Sequence, residues 1–177
     1  MTAVSDRPNS ASLPSHPFGA VPPGLPPADL AALVRRVAAD VDRWVPRLQL
    51  PDGNDRWWTR LAADDRVDVW LLSWLPGHNT DLHDHGDSAA AFTVVRGSLS
   101  EIRVDVAGHR TSHVRATGSA TSLGAGVIHD VTGAGTQPAV SIHAYSPPLT
   151  TMNYFDPATL RVVRTVQSNE PEEELSR

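Results

Sequence analysis

The stretch GHNTDLHDHGDSAAAFTVVRG, Gly77 to Gly97, decides how this chain is read. It sets two histidines, His83 and His85, two residues apart, ahead of a Phe/Thr/Val run that ends in glycine. In an extended segment residues i and i+2 project to one face. His83 and His85 can therefore reach one ion together, while Asp84 points to the other side. Two ligands are short of a metal site, and a lone pair of this kind is equally well explained by two surface histidines.

The surroundings of the pair are short β-like runs. VDVWLLSWL (67–75), AAFTVVRG (90–97), LSEIRVDV (99–106), TSHVRA (111–116), VIHDVTG (127–133), AVSIHAYS (139–146) and LRVVRTV (160–166) are rich in Val, Ile, Thr and aromatics and are parted by turn residues. Many short strands at such spacing predict a sandwich or a barrel. Before them, Leu30, Leu33, Val34, Val37, Val41, Trp44 and Val45 follow helical spacing. They predict one amphipathic helix that starts near Pro27 or Ala28 and is ended by Pro46 and then Pro51-Asp52-Gly53. The expected organisation is a Pro/Ser/Gly-rich, extended or disordered segment over 1–27, with His16 as a solvated residue. A single mainly β domain with its N-terminal helix follows over 28–166, and then an acidic tail over 167–177.

Composition narrows the chemistry. The 177 residues carry a net charge of −5 and show no basic stripe, which argues against a nucleic-acid partner. No apolar run is long enough to span a bilayer, and the N-terminus lacks a signal-peptide pattern. There is no cysteine, so disulfides and thiolate metal sites are excluded, and a cytoplasmic setting is expected. There is no lysine, so lysine nucleophiles and Schiff bases are excluded too.

The spacing around the histidine pair is specific. Gly77, five residues, His83-x-His85, four residues, Ala90, six residues and Gly97 reproduce the first cupin motif, with alanine where a glutamate ligand normally stands. Gly118, five residues, Gly124-x-Gly126, two residues, His129, three residues and Gly133 reproduce the second, with glycine in place of its proline and asparagine. The chain thus resembles a cupin. The resemblance implies a double-stranded, jelly-roll-like β-barrel holding a metal inside, with His129 as the third ligand. Three neutral imidazoles leave the whole charge of a divalent ion uncompensated, which favours an anionic substrate; a thiolate is a soft anion that suits the site.

Two further features stand out. Ser141, His143 and Tyr145 alternate along AVSIHAYS and so share one strand face. Facing inward, they would satisfy one another's polar groups and set the His143 tautomer; facing solvent, they would have no role. Arg60, in RWWTRL, is a candidate to hold a carboxylate through two parallel hydrogen bonds, or else an ordinary surface arginine. His78, His109 and His113 fall in or beside turns and are read as loop and surface residues.

Together, HDHGDS, GVIHDV and SIHAYSPPL are similar to the type I cysteine dioxygenases, the three-His thiol dioxygenases of the cupin superfamily. The resemblance runs from RWWTRL to SIHAYSPPL. It implies Fe(2+) on His83, His85 and His129, and substrate carboxylate on Arg60 and Tyr145. It also implies a catalytic Ser141–His143–Tyr145 row, and a reaction that adds both atoms of O2 to L-cysteine sulfur to give a sulfinic acid, in a cytoplasmic monomer of cysteine catabolism. Members that crosslink a cysteine to the tyrosine differ here, because Ala90 stands at the cysteine's position and Tyr145 remains a free phenol. Two alternatives stay open: a dioxygenase of another small thiol such as 3-mercaptopropionate, for which the arginine is the discriminating position, and a zinc-bearing or non-enzymatic cupin that binds small molecules.

Overall fold

The structure, a computed structural model, describes residues 24–51, 53 and 56–167. Residues 1–23 with His16, and the acidic stretch 168–177, lie outside the described residues.

The helix begins as the sequence predicts, with α1 spanning Pro27–Ala39 and proline in its first turn, where no intrahelical N–H is required. It does not continue to Val45. Asp40 leaves helical geometry (φ −89°, ψ 75°), a short α2 follows at Val41–Trp44, and a 3₁₀ turn closes at Val45–Arg47. The break lets the Trp44 indole N–H donate to the Ala38 carbonyl at 3.2 Å, which satisfies one of the orphan carbonyls of the helix end. Val41 and Val45, counted in the helical stripe, are half exposed as a result.

Eleven strands follow among the described residues: β1 (Trp57–Ala63), β2 (Asp68–Trp74), β3 (His83–Asp84), β4 (Ala89–Arg96), β5 (Ser98–Val104), β6 (Arg110–Ala116), β7 (Ala120–Leu123), β8 (His129–Ala134), β9 (Ala139–Ser146), β10 (Thr151–Phe155) and β11 (Val162–Gln167). They form a five-stranded sheet, β1-β2-β9-β4-β7, and a six-stranded sheet, β11-β10-β3-β8-β5-β6. The pairings between neighbours in both sheets are antiparallel. The sequence pattern predicts seven of the strands. It misses β1, β3, β7 and β10, of which β3 and β7 are too short to carry a period.

The five-stranded sheet is covered on both faces, which explains its near-continuous apolar strands. Val69, Leu71, Ala91, Val140, Ile142 and Ala144 form one buried cluster with Leu30, Val34 and Val37 of α1 and with Trp44. Trp70, Leu72, Trp74, Ala90, Phe92 and Tyr145 point the other way, into the barrel. Burying each large α1 side chain stabilises the fold by about 1.5–3 kcal/mol. Strand β9 is buried along its whole length, so Ser141, His143 and Tyr145 face the barrel interior rather than solvent.

Pairing brings the two histidine segments together. His83 of β3 is the Cα partner of His129 of β8 on one side and of Tyr154 of β10 on the other. The turn after β2 is latched onto β8 by hydrogen bonds from Gly77 N to Gly133 O (3.0 Å) and from Gly133 N to His78 O (2.8 Å). A Cβ at Gly133 would run into the Leu75 carbonyl oxygen, which is why that position is glycine. Gly97, at φ +72°, makes the tight turn from β4 to β5.

Candidate metal centre

His83, His85 and His129 meet inside the barrel, all buried, with one nitrogen from each lying within 4.8 Å of the others. Separate local contacts aim the rings of His83 and His129. Asp81 adopts φ +57°, a region Asp enters more readily than most residues, and its carbonyl lies 2.9 Å from His83 Nδ1. A carbonyl can only accept, so Nδ1 carries the hydrogen and Nε2 faces inward with a lone pair. His129 Nδ1 lies 3.2 Å from Glu101 Oε1, an acceptor, so this Nδ1 also carries a hydrogen, and its Nε2 has no hydrogen-bond partner among the described residues.

His83 Nε2 and His85 Nε2 are 3.2 Å apart. Two nitrogens on one ion, at bonds of roughly 2.0–2.1 Å, stand at about this separation. Burial holds both His83 and His85 well below the usual imidazole pKa, and the neighbouring histidines add to the effect. The donor set therefore includes two neutral imidazoles, His83 and His85, and beside them a buried, unpartnered Nε2 on His129. These residues fit a divalent metal. Asp84 points away from them, its Oδ1 accepting from Gly86 N at 3.0 Å and Asn153 Nδ2 at 2.8 Å.

A narrow cavity opens beside the histidines, walled by Leu72, Trp74, Met152, His143, Tyr145 and Arg56. Arg60 does not line it. Its guanidinium lies over the Trp70 ring, 4.9 Å from the centroid, and Trp70 is its Cα partner across β1 and β2. Arg56, just before β1, is the arginine that reaches the cavity. It is 8% exposed and stacks over Trp74 at 4.9 Å, and its Nη1 has no partner among the described residues. Burial lowers its pKa, yet a guanidinium stays charged. A buried cation with an unused donor calls for an anion.

The polar row of β9 is one connected chain. Trp74 Nε1 donates to Ser141 Oγ at 2.9 Å; Ser141 Oγ lies 2.8 Å from His143 Nε2; His143 Nδ1 lies 3.5 Å from Tyr145 Oη. The indole can only donate, so the buried serine hydrogen is left for His143 Nε2. The imidazole hydrogen then sits on Nδ1, towards the phenol oxygen, and leaves the Tyr145 hydrogen free to point at a ligand. Burial, and then the nearby His129 and Arg56, push the His143 pKa down to about 3, so the ring is neutral. Burial, and then Asp68, raise the Tyr145 pKa, so the phenol keeps its proton. Ala90 is the Cα partner of Tyr145, with no group able to react with the ring.

Sequence reasoning overlooked two residues. Arg56 is one. The other is Glu101 of β5, fully buried, which accepts from His129, from Arg103 Nε at 2.9 Å and from Arg115 at 2.6 Å. Burial alone would raise its pKa, but the bonds from His129 and Arg103 outweigh that and hold the carboxyl at about 2. The one signal was a glutamate sharing strand parity with Leu99, an apolar residue.

Fold and site together define a cupin-type double-stranded β-barrel with an interior three-histidine centre. Solved structures share the fold. The protein TT1209 of Thermus thermophilus superposes with a TM-score of 0.52 at 20% identity, covering 59% of this chain and 94% of that one. A cupin superfamily protein of Desulfitobacterium hafniense gives 0.50 at 15% identity, covering 59% and 87%. Within this class the chain belongs to the cysteine dioxygenase type I family, which it matches over residues 28–158. Cysteine dioxygenase type 1 of Rattus norvegicus is 30% identical over 116 residues, 58% of this chain and 57% of the relative. The human protein of the same name is 27% identical over 116 residues. The chain thus spans little more than half the length of the curated relatives it matches. Among the described residues no helix is long and apolar enough to cross a membrane.

Proposed function

We propose that this protein is an iron-dependent thiol dioxygenase that converts L-cysteine and O2 to cysteine sulfinic acid. The observation that carries the reading is one cavity holding both three inward-facing imidazoles and an unpaired, buried guanidinium. A molecule with a thiolate at one end and a carboxylate at the other satisfies both. Family membership supplies the reaction class.

His83, His85 and His129 would hold Fe(2+), which when bound would supply the site at which O2 and a thiolate meet. Arg56, rather than the Arg60 expected from sequence, takes the role of gripping the carboxylate, because its Nη1 lacks a partner and it lines the cavity. Tyr145 donates its hydroxyl hydrogen to the same ligand, with His143 Nδ1 supporting the oxygen from behind and Ser141 fixing His143. Leu72, Trp74 and Met152 keep bulk water from the sulfur. Overall, one thiol sulfur gains two oxygen atoms and O2 is fully consumed, so no outside reductant is required.

The test is oxygen uptake by iron-loaded protein with cysteine and with 3-mercaptopropionate, repeated on Arg56→Ala and Arg60→Ala. Losing charged hydrogen bonds of about 1.5–3 kcal/mol each predicts a drop of about 10- to 100-fold or more in kcat/KM for Arg56→Ala. Arg60→Ala should change it little. Equal or better turnover of 3-mercaptopropionate would reassign the substrate. No uptake with iron bound, or tight native zinc, would defeat the dioxygenase reading.

A further inference from the structure

The cupin glutamate ligand is missing at Ala90, yet the centre has not lost its carboxylate. It has moved one hydrogen bond outward. Glu101 is wholly buried behind His129, and its Oε1 takes the His129 Nδ1–H. Both carboxylate oxygens are also held from the far side. Arg103 Nε donates to Oε1 at 2.9 Å, and Arg115 Nε donates to Oε2 at 2.8 Å. Arg103 and Arg115 keep about a quarter and a fifth of their side chains exposed, so the cluster runs from the metal ligand to the surface of β6.

Donor count fixes the direction of this chain. Two guanidiniums can only donate, and the anion between them can only accept. His129 must therefore present a hydrogen at Nδ1, which leaves Nε2, unpartnered and buried at the centre, as the atom that would meet a metal. A carboxylate pulling on Nδ1–H makes Nε2 a stronger donor to a metal. The two arginines compete for the same carboxylate and weaken that pull. Their sum with Glu101 is one net positive charge near the site.

We infer that Glu101 is a positioning residue that sets the tautomer and the donor strength of His129, and that Arg115 moderates it, so that removing one tightens and removing the other loosens metal binding. This rests on the three-histidine metal centre of the proposed function. The chain of contacts does not depend on what the protein oxidises.

The test uses full-length protein stripped with chelator, titrated with Zn(II) against a fluorescent chelator, with ¹⁵N NMR of the His129 ring in the metal-free form. Glu101→Gln keeps the shape and removes the charge, and should weaken Zn(II) binding by about 10- to 100-fold. Its His129 hydrogen should no longer be confined to Nδ1. Arg115→Gln keeps a donor to Oε2 and removes a cation, and should bind about two- to tenfold tighter. Glu101→Asp keeps the charge but withdraws the acceptor, and should still weaken binding. Wild-type affinity in a folded Glu101→Asp would overturn positioning. Weaker binding in Arg115→Gln would mean a general loosening of β5 and β6 and would overturn the moderating role. Because the readout is affinity and tautomer, these outcomes stand whether or not cysteine is turned over.

Discussion

Asp68 places a carboxyl where the fold gives it little help, and replacing it with asparagine should make the protein more stable in a pH-dependent way. The residue is 1% exposed, and its Oδ1 has no hydrogen-bond partner among the described residues. The Trp70 indole, the Leu149 backbone N–H and the Arg60 charge favour the anion, but Trp70 Nε1 is itself left without a partner by hydrogen-bond geometry. Burial dominates and pushes the pKa from 3.8 to about 6. Between those two values the unfolded chain has released its proton while the folded chain still holds it. The unfolded state then binds fewer protons, so stability falls as pH rises through this window. A shift of about two units corresponds to about 3 kcal/mol, lost in full above about pH 7. Asp68→Asn carries no such loss. Urea unfolding at pH 8 should find it more stable by about 1–3 kcal/mol, or about 2–10 °C in Tm. Near pH 4 the gain should disappear. A variant destabilised equally at pH 4 and pH 8 would show that Asp68 is not held as a strained acid, and the burial argument would be wrong.

Two other changes follow from the same structure. His129→Ala removes the Nε2 that faces the centre, so protein purified without added metal should contain almost none; stoichiometric metal would remove His129 from the ligand set. Gly133→Ala forces a Cβ against the Leu75 carbonyl, where backbone rather than a flexible side chain must give way. It should cost about 1–3 kcal/mol or more in urea unfolding, and wild-type stability would show that the latch between the β2 turn and β8 yields easily.

Much of this molecule was legible because strand chemistry has a short period. The i, i+2 spacing put His83 with His85 and excluded Asp84, and the structure agrees on both. The same parity aligned Ser141, His143 and Tyr145, and full coverage of β9 then settled that they face inward. The α1 stripe overran because periodicity does not register a break such as that at Asp40, which packing of Trp44 onto Ala38 sustains.

The sequence by itself determined which histidines come together: the motif spacings name His83, His85 and His129, and alanine at position 90 leaves no carboxylate there to join them. Tertiary structure alone decided which charges stand around them. Arg56 and Arg60 are both arginines of the RWWTR stretch, four residues apart, and no local pattern separates them. The register of β1 on β2 does, by setting Arg60 against Trp70 and Arg56 against Trp74. Glu101 meets Val131 and sits behind His129 only because β5 pairs with β8. Such partners lie far apart in sequence, and a period of two says which face a side chain takes but not what another strand brings to meet it.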